Sequence, residues 1–123
     1  MKIYLASGFF TEKTRKTVIL IANNLRTAGH EVFVPMEHEI ENAWGKSNKV
    51  WAKEVFEMDK QAIDDCDKVV YLDFGYQGDC GAAWEVGYAY AKGKVITTLA
   101  FGDTISLMIA NSTTHIDFIP EQK

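Results

Sequence analysis

The run KVVYLD at 68–73 constrains the fold more than any other stretch of the chain. Its middle is wholly apolar, so both faces of a strand made from it must be covered. Such strands belong in the interior of parallel sheets, because the crossover connections of a parallel sheet place helices on its faces. Three more β-rich runs accompany it: KIYLA at 2–6, EVFVP at 31–35 and KVITTLA at 94–100. Helical patterns separate the four. The order is therefore β-α-β-α-β-α-β, which predicts a doubly wound α/β fold of flavodoxin-like or Rossmann-like type. It has about four to five parallel strands, with helices on both faces.

The first helix opens at Thr11. Val18, Ile21, Ala22, Leu25 and Ala28 recur at helical spacing, and Gly29 supplies the stop. The second runs from about Lys49 to Cys66, with Val55, Met58, Ala62, Ile63 and Cys66 as its apolar stripe. Asp59 falls on that stripe, four residues from both Val55 and Ile63. A polar, irregular stretch from Met36 to Asn48 precedes it, at a length where loops are often functional. A third helix lies within GDCGAAWEVGYAYAKGK at 78–94. SLMIANS at 106–112 reads as one or two helical turns, and a tail follows.

The 123 residues suit one domain spanning 1–123, with a single core. A net charge of −4 with no basic patch argues against a nucleic acid polymer as partner. Cys66 and Cys80 form no CxxC pair and no spaced set with histidine, so neither a metal site nor a disulfide framework is expected. The short apolar start is too brief for a signal peptide or a membrane span, which makes a reduced, cytoplasmic protein the simplest reading. GxGxxG and P-loop lysine motifs are absent, and no cofactor is expected. His30, His38 and His115 share no spacing and carry no assignment.

In open α/β sheets, ligands bind outside the carboxyl ends of the strands. That rule selects Ser7 to Phe10, the Met36 to Asn48 loop and the Asp73 to Gly81 loop. Glu85 sits near the start of the third helix, just beyond such an end, among Ala, Gly and aromatic residues. Trp84 and Val86 are expected to anchor it. A helix N-terminus favours an ionised carboxylate, and a shielded carboxylate can act as a nucleophile or stabilise a cation. Each acid also has a plainer role: Glu85 facing solvent, Asp59 at a stripe edge beside lysines, Asp79 as a helix N-cap. Together the three fit glycosyl transfer, in which one carboxylate attacks the anomeric carbon and another handles the leaving group's proton. Phe9, Phe10 and Trp44 could stack on a flat heterocycle or simply fill the core. Tyr4 points either into the sheet core or toward Glu85, because strands alternate faces.

KIYLASGFFTEK, NKVWAKEVFEMDKQAI and DCGAAWEVGYAYAKGK resemble the nucleoside 2-deoxyribosyltransferase family, in the same order and across nearly the whole chain. The resemblance implies an enzyme of nucleoside salvage that exchanges nucleobases on 2'-deoxyribose. Its substrates are small molecules, 2'-deoxynucleosides and free bases, with no membrane or nucleic acid partner. Glu85 matches the family nucleophile, which holds the sugar as a covalent ester with net retention. Asp59 matches the aspartate that contacts the base and moves its proton. Asp79 matches the residue that binds the sugar's 5' end, and Tyr4 the tyrosine that orients the nucleophile. Gly8, Phe9 and Phe10 fall in the substrate loop.

One position departs from the pattern. Ser106 stands where transferases of this family usually carry an asparagine that reaches the neighbouring subunit's site, with Met108 two residues on. The resemblance thus implies a homo-oligomer, built from dimers and extending to hexamers, in which Ser106 and Met108 complete a neighbour's site. Related deoxynucleoside monophosphate N-glycosidases often carry serine there, and also at the position of Asp79. A carboxylate at 79 repels a phosphate and points to a nucleoside. Two other readings stay open: an N-glycosidase on the same scaffold, and a non-catalytic nucleotide-binding module.

Overall fold

The computed structural model describes residues 1–8, 11–38, 48–75, 80–102 and 105–120. The strands are β1 (Lys2–Ser7), β2 (Glu31–Phe33), β3 (Lys68–Asp73), β4 (Val95–Ala100) and β5 (His115–Phe118). The helices are α1 (Glu12–Thr27), α2 (Asn48–Asp65), α3 (Cys80–Ala91) and α4 (Leu107–Ser112), with a 3-10 turn at Pro35–Glu37. The strands form one parallel sheet in the order β2-β1-β3-β4-β5. This is the doubly wound, flavodoxin-like arrangement. The tail contributes the fifth strand, whose short HIDF run carries too little apolar signal to stand out in sequence.

Strand alternation divides the core into two layers. Ile3, Leu5, Val32, Val70 and Leu72 point to one face, where Val18 and Ala22 of α1 cover them. Tyr4, Ala6, Val69, Tyr71 and Ile96 point to the other, beneath Ile63 of α2, Val86 and Ala89 of α3, and Ile109 of α4. KVVYLD therefore is buried on both sides, as its composition requires. Chain order reverses between β1 and β3, the switch point at which such sheets open a ligand crevice.

Local signals set the element boundaries. Thr11 and Thr14 form a reciprocal capping box, each side chain accepting from the other's backbone N–H at 3.1 Å. Gly29 stops α1 with φ of 99°, in the left-handed region that suits glycine. Ala28, grouped by spacing with the apolar stripe, instead forms the C-cap and is exposed. The turn after β3 is an Asx turn, in which Gly75 N–H donates to Asp73 Oδ1 at 2.8 Å. Gly75 and Gly102 face each other closely, and Phe74 stacks on Phe101 at 5.0 Å, so the turns after β3 and β4 support one another.

Candidate active site

Tyr4 is the floor of the site. It is 0% exposed, halfway along β1 and paired with Val69 in the sheet. Its side chain answers the choice left by strand alternation in both ways. The ring lies in the core, and the hydroxyl donates to Oε2 of Glu85 on α3. Burial and the negative charge of Glu85 push the phenol far above its ordinary range, so it stays protonated and remains a donor.

Glu85 is the only charged residue of α3, whose sequence is CGAAWEVGYAYA. It is half-buried. The expectation that the helix N-terminus holds its charge needs revision, since α3 begins at Cys80 and Glu85 is the sixth residue. The helix dipole acts mainly within the first turn, so the Tyr4 hydroxyl is the better-placed donor. Val86 anchors the helix in the core as expected. Trp84 does not, being 45% exposed and stacked outward between Phe56 and Tyr88.

Asp59 reaches the same place from α2. It is half-buried, and among the described residues its Oδ1 is a buried oxygen without a hydrogen-bond partner. Burial raises its pKa from 3.8 to about 6, against the opposing pull of His38. Its charge is felt in turn by the Tyr4 hydroxyl. A carboxyl tuned to near neutrality can both give and take a proton under ordinary conditions.

Two ties keep the helices carrying these acids in register. Phe56 of α2 packs on Trp84 of α3 with ring centroids 5.1 Å apart. Eight residues further along α2, the Asp64 carboxylate accepts from Tyr88 Oη at 2.6 Å. Asp59 lies between the α2 members of these ties, and Glu85 between the α3 members. Lys94 adds a third, donating to the carbonyls of Asp64 at 3.0 Å and Cys66 at 2.7 Å. These satisfy acceptors that the end of α2 leaves open.

An open groove of about 450 Å³ runs between edge strand β2 and α2. Lys2, Glu31, Phe33, His38, Met58 and Gln61 are among its lining. His38 caps the Pro35–Glu37 turn and stacks on Phe33, with centroids 4.2 Å apart and planes 7° from parallel. Arg26 braces that turn, its Nη1 and Nη2 donating to the Glu37 carboxylate at 3.0 and 2.5 Å and Nη2 also to the Val32 carbonyl at 2.9 Å. Neither His38 nor this brace was legible from residue spacing.

The structure thus brings Tyr4, Asp59 and Glu85 together. Gly8 follows directly on β1, its carbonyl accepting from Ser7 Oγ at 2.7 Å. Phe9, Phe10 and Asp79 lie outside the described residues, as does Trp44. Ser106 is the N-cap of α4, its Oγ accepting from Ile109 N–H at 3.2 Å. Met108 is 74% exposed on the same short helix. Cys66 and Cys80 are free thiols. Among the described residues no group of acids, histidines and cysteines is placed to hold a metal ion, and no helix is long and apolar enough to cross a membrane.

Comparison with known proteins gives this geometry a context. Residues 3–117 match the family described as Nucleoside 2-deoxyribosyltransferase. Among solved structures, the chain is similar to a 2-deoxyribosyltransferase from the psychrotolerant bacterium Bacillus psychrosaccharolyticus. The two are 36% identical with a TM-score of 0.84, over 95% of this chain and 85% of that one. A CMP N-glycosidase from Clostridium botulinum is 21% identical with a TM-score of 0.71, over 100% of this chain and 91% of that one. A conserved protein from Enterococcus faecalis is 20% identical with a TM-score of 0.69, over 95% and 81%. At those lower identities the likeness is one of fold. No curated protein sequence matches the chain.

Proposed function

Because the chain belongs to the nucleoside 2-deoxyribosyltransferase family, we propose that it moves 2-deoxyribose between nucleobases through a glycosyl ester on Glu85. The observation that carries the reading is the convergence of two carboxyls with different surroundings on one buried tyrosine. Glu85 accepts from the Tyr4 hydroxyl, and Asp59 is held near neutrality by burial. Such a pair divides naturally into nucleophile and proton carrier.

In the first half-reaction a Glu85 oxygen bonds to the anomeric carbon while the glycosidic C–N bond breaks. The electron pair leaves with the base nitrogen, and the Asp59 proton goes to the departing base. In the second, a ring nitrogen of the acceptor base attacks the same carbon. The ester C–O bond breaks, its electrons return to the Glu85 carboxylate, and the acceptor's proton passes to Asp59. Two inversions give net retention. The transition state is oxocarbenium-like, so the carboxylate stabilises it before bonding. A 2'-deoxy sugar suits this route, because a 2'-hydroxyl withdraws electrons from the developing cation. Asp79, Gly8, Phe9 and Phe10 complete the reading as the sugar and base contacts.

Ser106 and Met108 enter as contributions to a neighbouring copy's site. Two features support that arrangement: Met108 projects from the surface, and the outer side of α3 carries Trp84, Tyr88 and Tyr90 with no charged residue among them. A helix apolar on both sides is ordinarily covered on both.

Incubation with deoxyinosine or thymidine, with and without adenine, tests the function. Transfer predicts a new deoxynucleoside only when adenine is present. Free base released equally fast without acceptor would replace transfer by hydrolysis. No turnover of any deoxynucleoside or its monophosphate would leave a binding module.

A further inference from the structure

α2 and α3 meet along a seam with matching periods. Phe56, Lys60 and Asp64 recur every fourth residue on α2, and Trp84 and Tyr88 keep the same spacing on α3, with Lys92 just past its end. Phe56 packs on Trp84, and the Trp84 ring stacks on Tyr88 with centroids 5.3 Å apart and planes 5° from parallel. Lys60 and Lys92 stand over the Tyr88 ring at 5.8 and 5.5 Å from its centroid. The contacts converge on Tyr88, whose hydroxyl donates to the Asp64 carboxylate. Asp64 is itself held, by Lys94 Nζ at its backbone carbonyl and by Lys92 Nζ 4.0 Å from its Oδ1.

The core side of α3 fixes its rotation only weakly. The side chains that it buries are Ala82, Val86 and Ala89, all small. Small side chains make shallow ridges, which set the distance between a helix and its neighbours better than the angle about the helix axis. That angle matters to Glu85. A side-chain end stands about 5–6 Å from the axis of a helix, so a rotation of about 10° carries it by about 1 Å. A misplacement of that size can cost about 10²-fold in rate. Glu85 and Tyr88 are neighbours one turn apart on α3. We infer that Tyr88 is a positioning residue for Glu85: its bond to Asp64 sets the rotation of α3, and with it the aim of the Glu85 carboxylate at the Tyr4 hydroxyl and the anomeric carbon. The inference rests on the reading of Glu85 as the nucleophile.

The hydroxyl suits this task better than the ring contacts of the seam. Ring packing and cation–π contacts tolerate small slides, whereas a hydrogen bond weakens steeply as its angle bends. At 2.6 Å the Tyr88–Asp64 bond has the short separation of a hydroxyl donating to a carboxylate. The same bond pushes the Tyr88 phenol up to about 12, so it remains a donor throughout the neutral range. Glu85 is thus held twice by tyrosines. Tyr4 grips the carboxylate, and Tyr88 grips the helix that carries it. Loss of the second grip misdirects the attacking oxygen without removing a group that touches substrate, so it should fall on kcat and leave KM nearly intact.

The bond is tested from both ends. Tyr88→Phe keeps the ring and its stack on Trp84 and removes the donor. Asp64→Ala removes the acceptor, whereas Asp64→Asn keeps one. Tyr88→Phe and Asp64→Ala should each lower kcat for transfer by about 5- to 50-fold, with KM for the deoxynucleoside within about twofold. Asp64→Asn should keep most of the rate, and the double variant Tyr88→Phe/Asp64→Ala should lose no more than either single one. A second readout needs no substrate. In protein carrying isotopically labelled tyrosine, the Tyr4 Cζ resonance, identified by its loss in Tyr4→Phe, reports the Tyr4–Glu85 bond. It should shift in Tyr88→Phe and stay near its wild-type position in Asp64→Asn. Either a wild-type kcat or an unmoved Tyr4 resonance in Tyr88→Phe overturns the inference. Equal losses in Asp64→Asn and Asp64→Ala, or losses that add in the double variant, also overturn it, since they mark a general loosening of the seam instead of one bond. If the wild-type protein turns over no deoxynucleoside, the proposed function fails, while the Tyr4 resonance still decides whether Tyr88 aims Glu85.

Discussion

The Tyr4 hydroxyl donates to Oε2 of Glu85 across 81 positions of sequence, joining the floor of the sheet to the helix that carries the proposed nucleophile. Tyr4→Phe isolates that bond, because the ring and its stack on Phe33 survive. Hydrogen bonds to charged groups are worth about 1.5–3 kcal/mol. The variant should therefore lose about 10- to 100-fold in kcat, with KM for the deoxynucleoside changed little. Steady-state kinetics on deoxyinosine with adenine as acceptor provide the check. A large rise in KM with kcat intact would move Tyr4 from orienting Glu85 to binding substrate.

Glu85→Ala should abolish transfer, by about 10³-fold or more, since Glu85 is the group proposed to form the ester. The fold should survive, because Glu85 is half-buried while Val86 and Ala89 provide the packing of α3. Mass spectrometry of acid-quenched protein should find deoxyribose on the peptide containing Glu85 in the wild type and none in the variant. Circular dichroism should show unchanged helix content. Near-wild-type turnover would remove Glu85 from the mechanism.

Asp59 is the proposed proton carrier, and its burial is unfavourable to the fold. Its carboxyl titrates near pH 6 rather than 3.8, so the folded state binds the extra proton between those values. The stability contributed by that proton is fully present below about pH 4 and is lost as pH rises through 6. Asp59→Asn removes the penalty. It should stabilise the protein at pH 8 by roughly 1–2 kcal/mol, after discounting for solvent screening of a half-buried group, or about 3–6 °C in Tm. At pH 4 it should change little. Transfer should fall by about 10²-fold or more at either pH, the usual scale of general acid–base assistance. Melting curves at the two pH values test the sign, and equal Tm shifts at both would place the effect outside ionisation.

Much of this was legible in sequence because the governing signals are local. KVVYLD, the Thr11 cap and the Gly29 stop are each written in a few adjacent residues. Asp59 could be singled out because it interrupts an apolar stripe, and Tyr4 because a strand offers only two faces. The rest depends on contacts between distant elements. HIDF becomes a strand because β4 offers it an edge, not because of its own alternation. Trp84 looked like core from composition, yet α3 turns it outward onto Phe56. His38 has no periodic pattern around it, and only the fold stacks it on Phe33. Its brace, Arg26 to Glu37, joins a helix to a turn 11 positions away, which no spacing rule anticipates.

That brace makes its own prediction. Arg26 and Glu37 are both partly exposed, so the pair should contribute only about 0.5–1 kcal/mol to stability. Its larger effect should be on the turn that presents His38. Arg26→Ala should leave Tm within a few degrees but lower kcat about 3- to 10-fold, on the scale of roughly 1 kcal/mol of lost positioning. Melting curves and steady-state rates on the same variant test both, and an unchanged kcat would show that the turn keeps its stack on Phe33 without Arg26.

Ser106 combines two roles that substitution can separate. As N-cap of α4 it accepts from Ile109 N–H, and asparagine caps about as well as serine while alanine loses about 1 kcal/mol. Ser106→Asn should therefore leave stability unchanged, and Ser106→Ala should loosen a helix of only six residues. If Ser106 also reaches a neighbour's site, Ser106→Asn should preserve or raise transfer and lower any preference for a 5'-phosphate. Ser106→Ala should then lose transfer more steeply than stability. Donor competition between deoxyinosine and its 5'-monophosphate, run on both variants, reads the two roles separately. Unchanged rate and unchanged phosphate preference in Ser106→Asn would confine Ser106 to its cap.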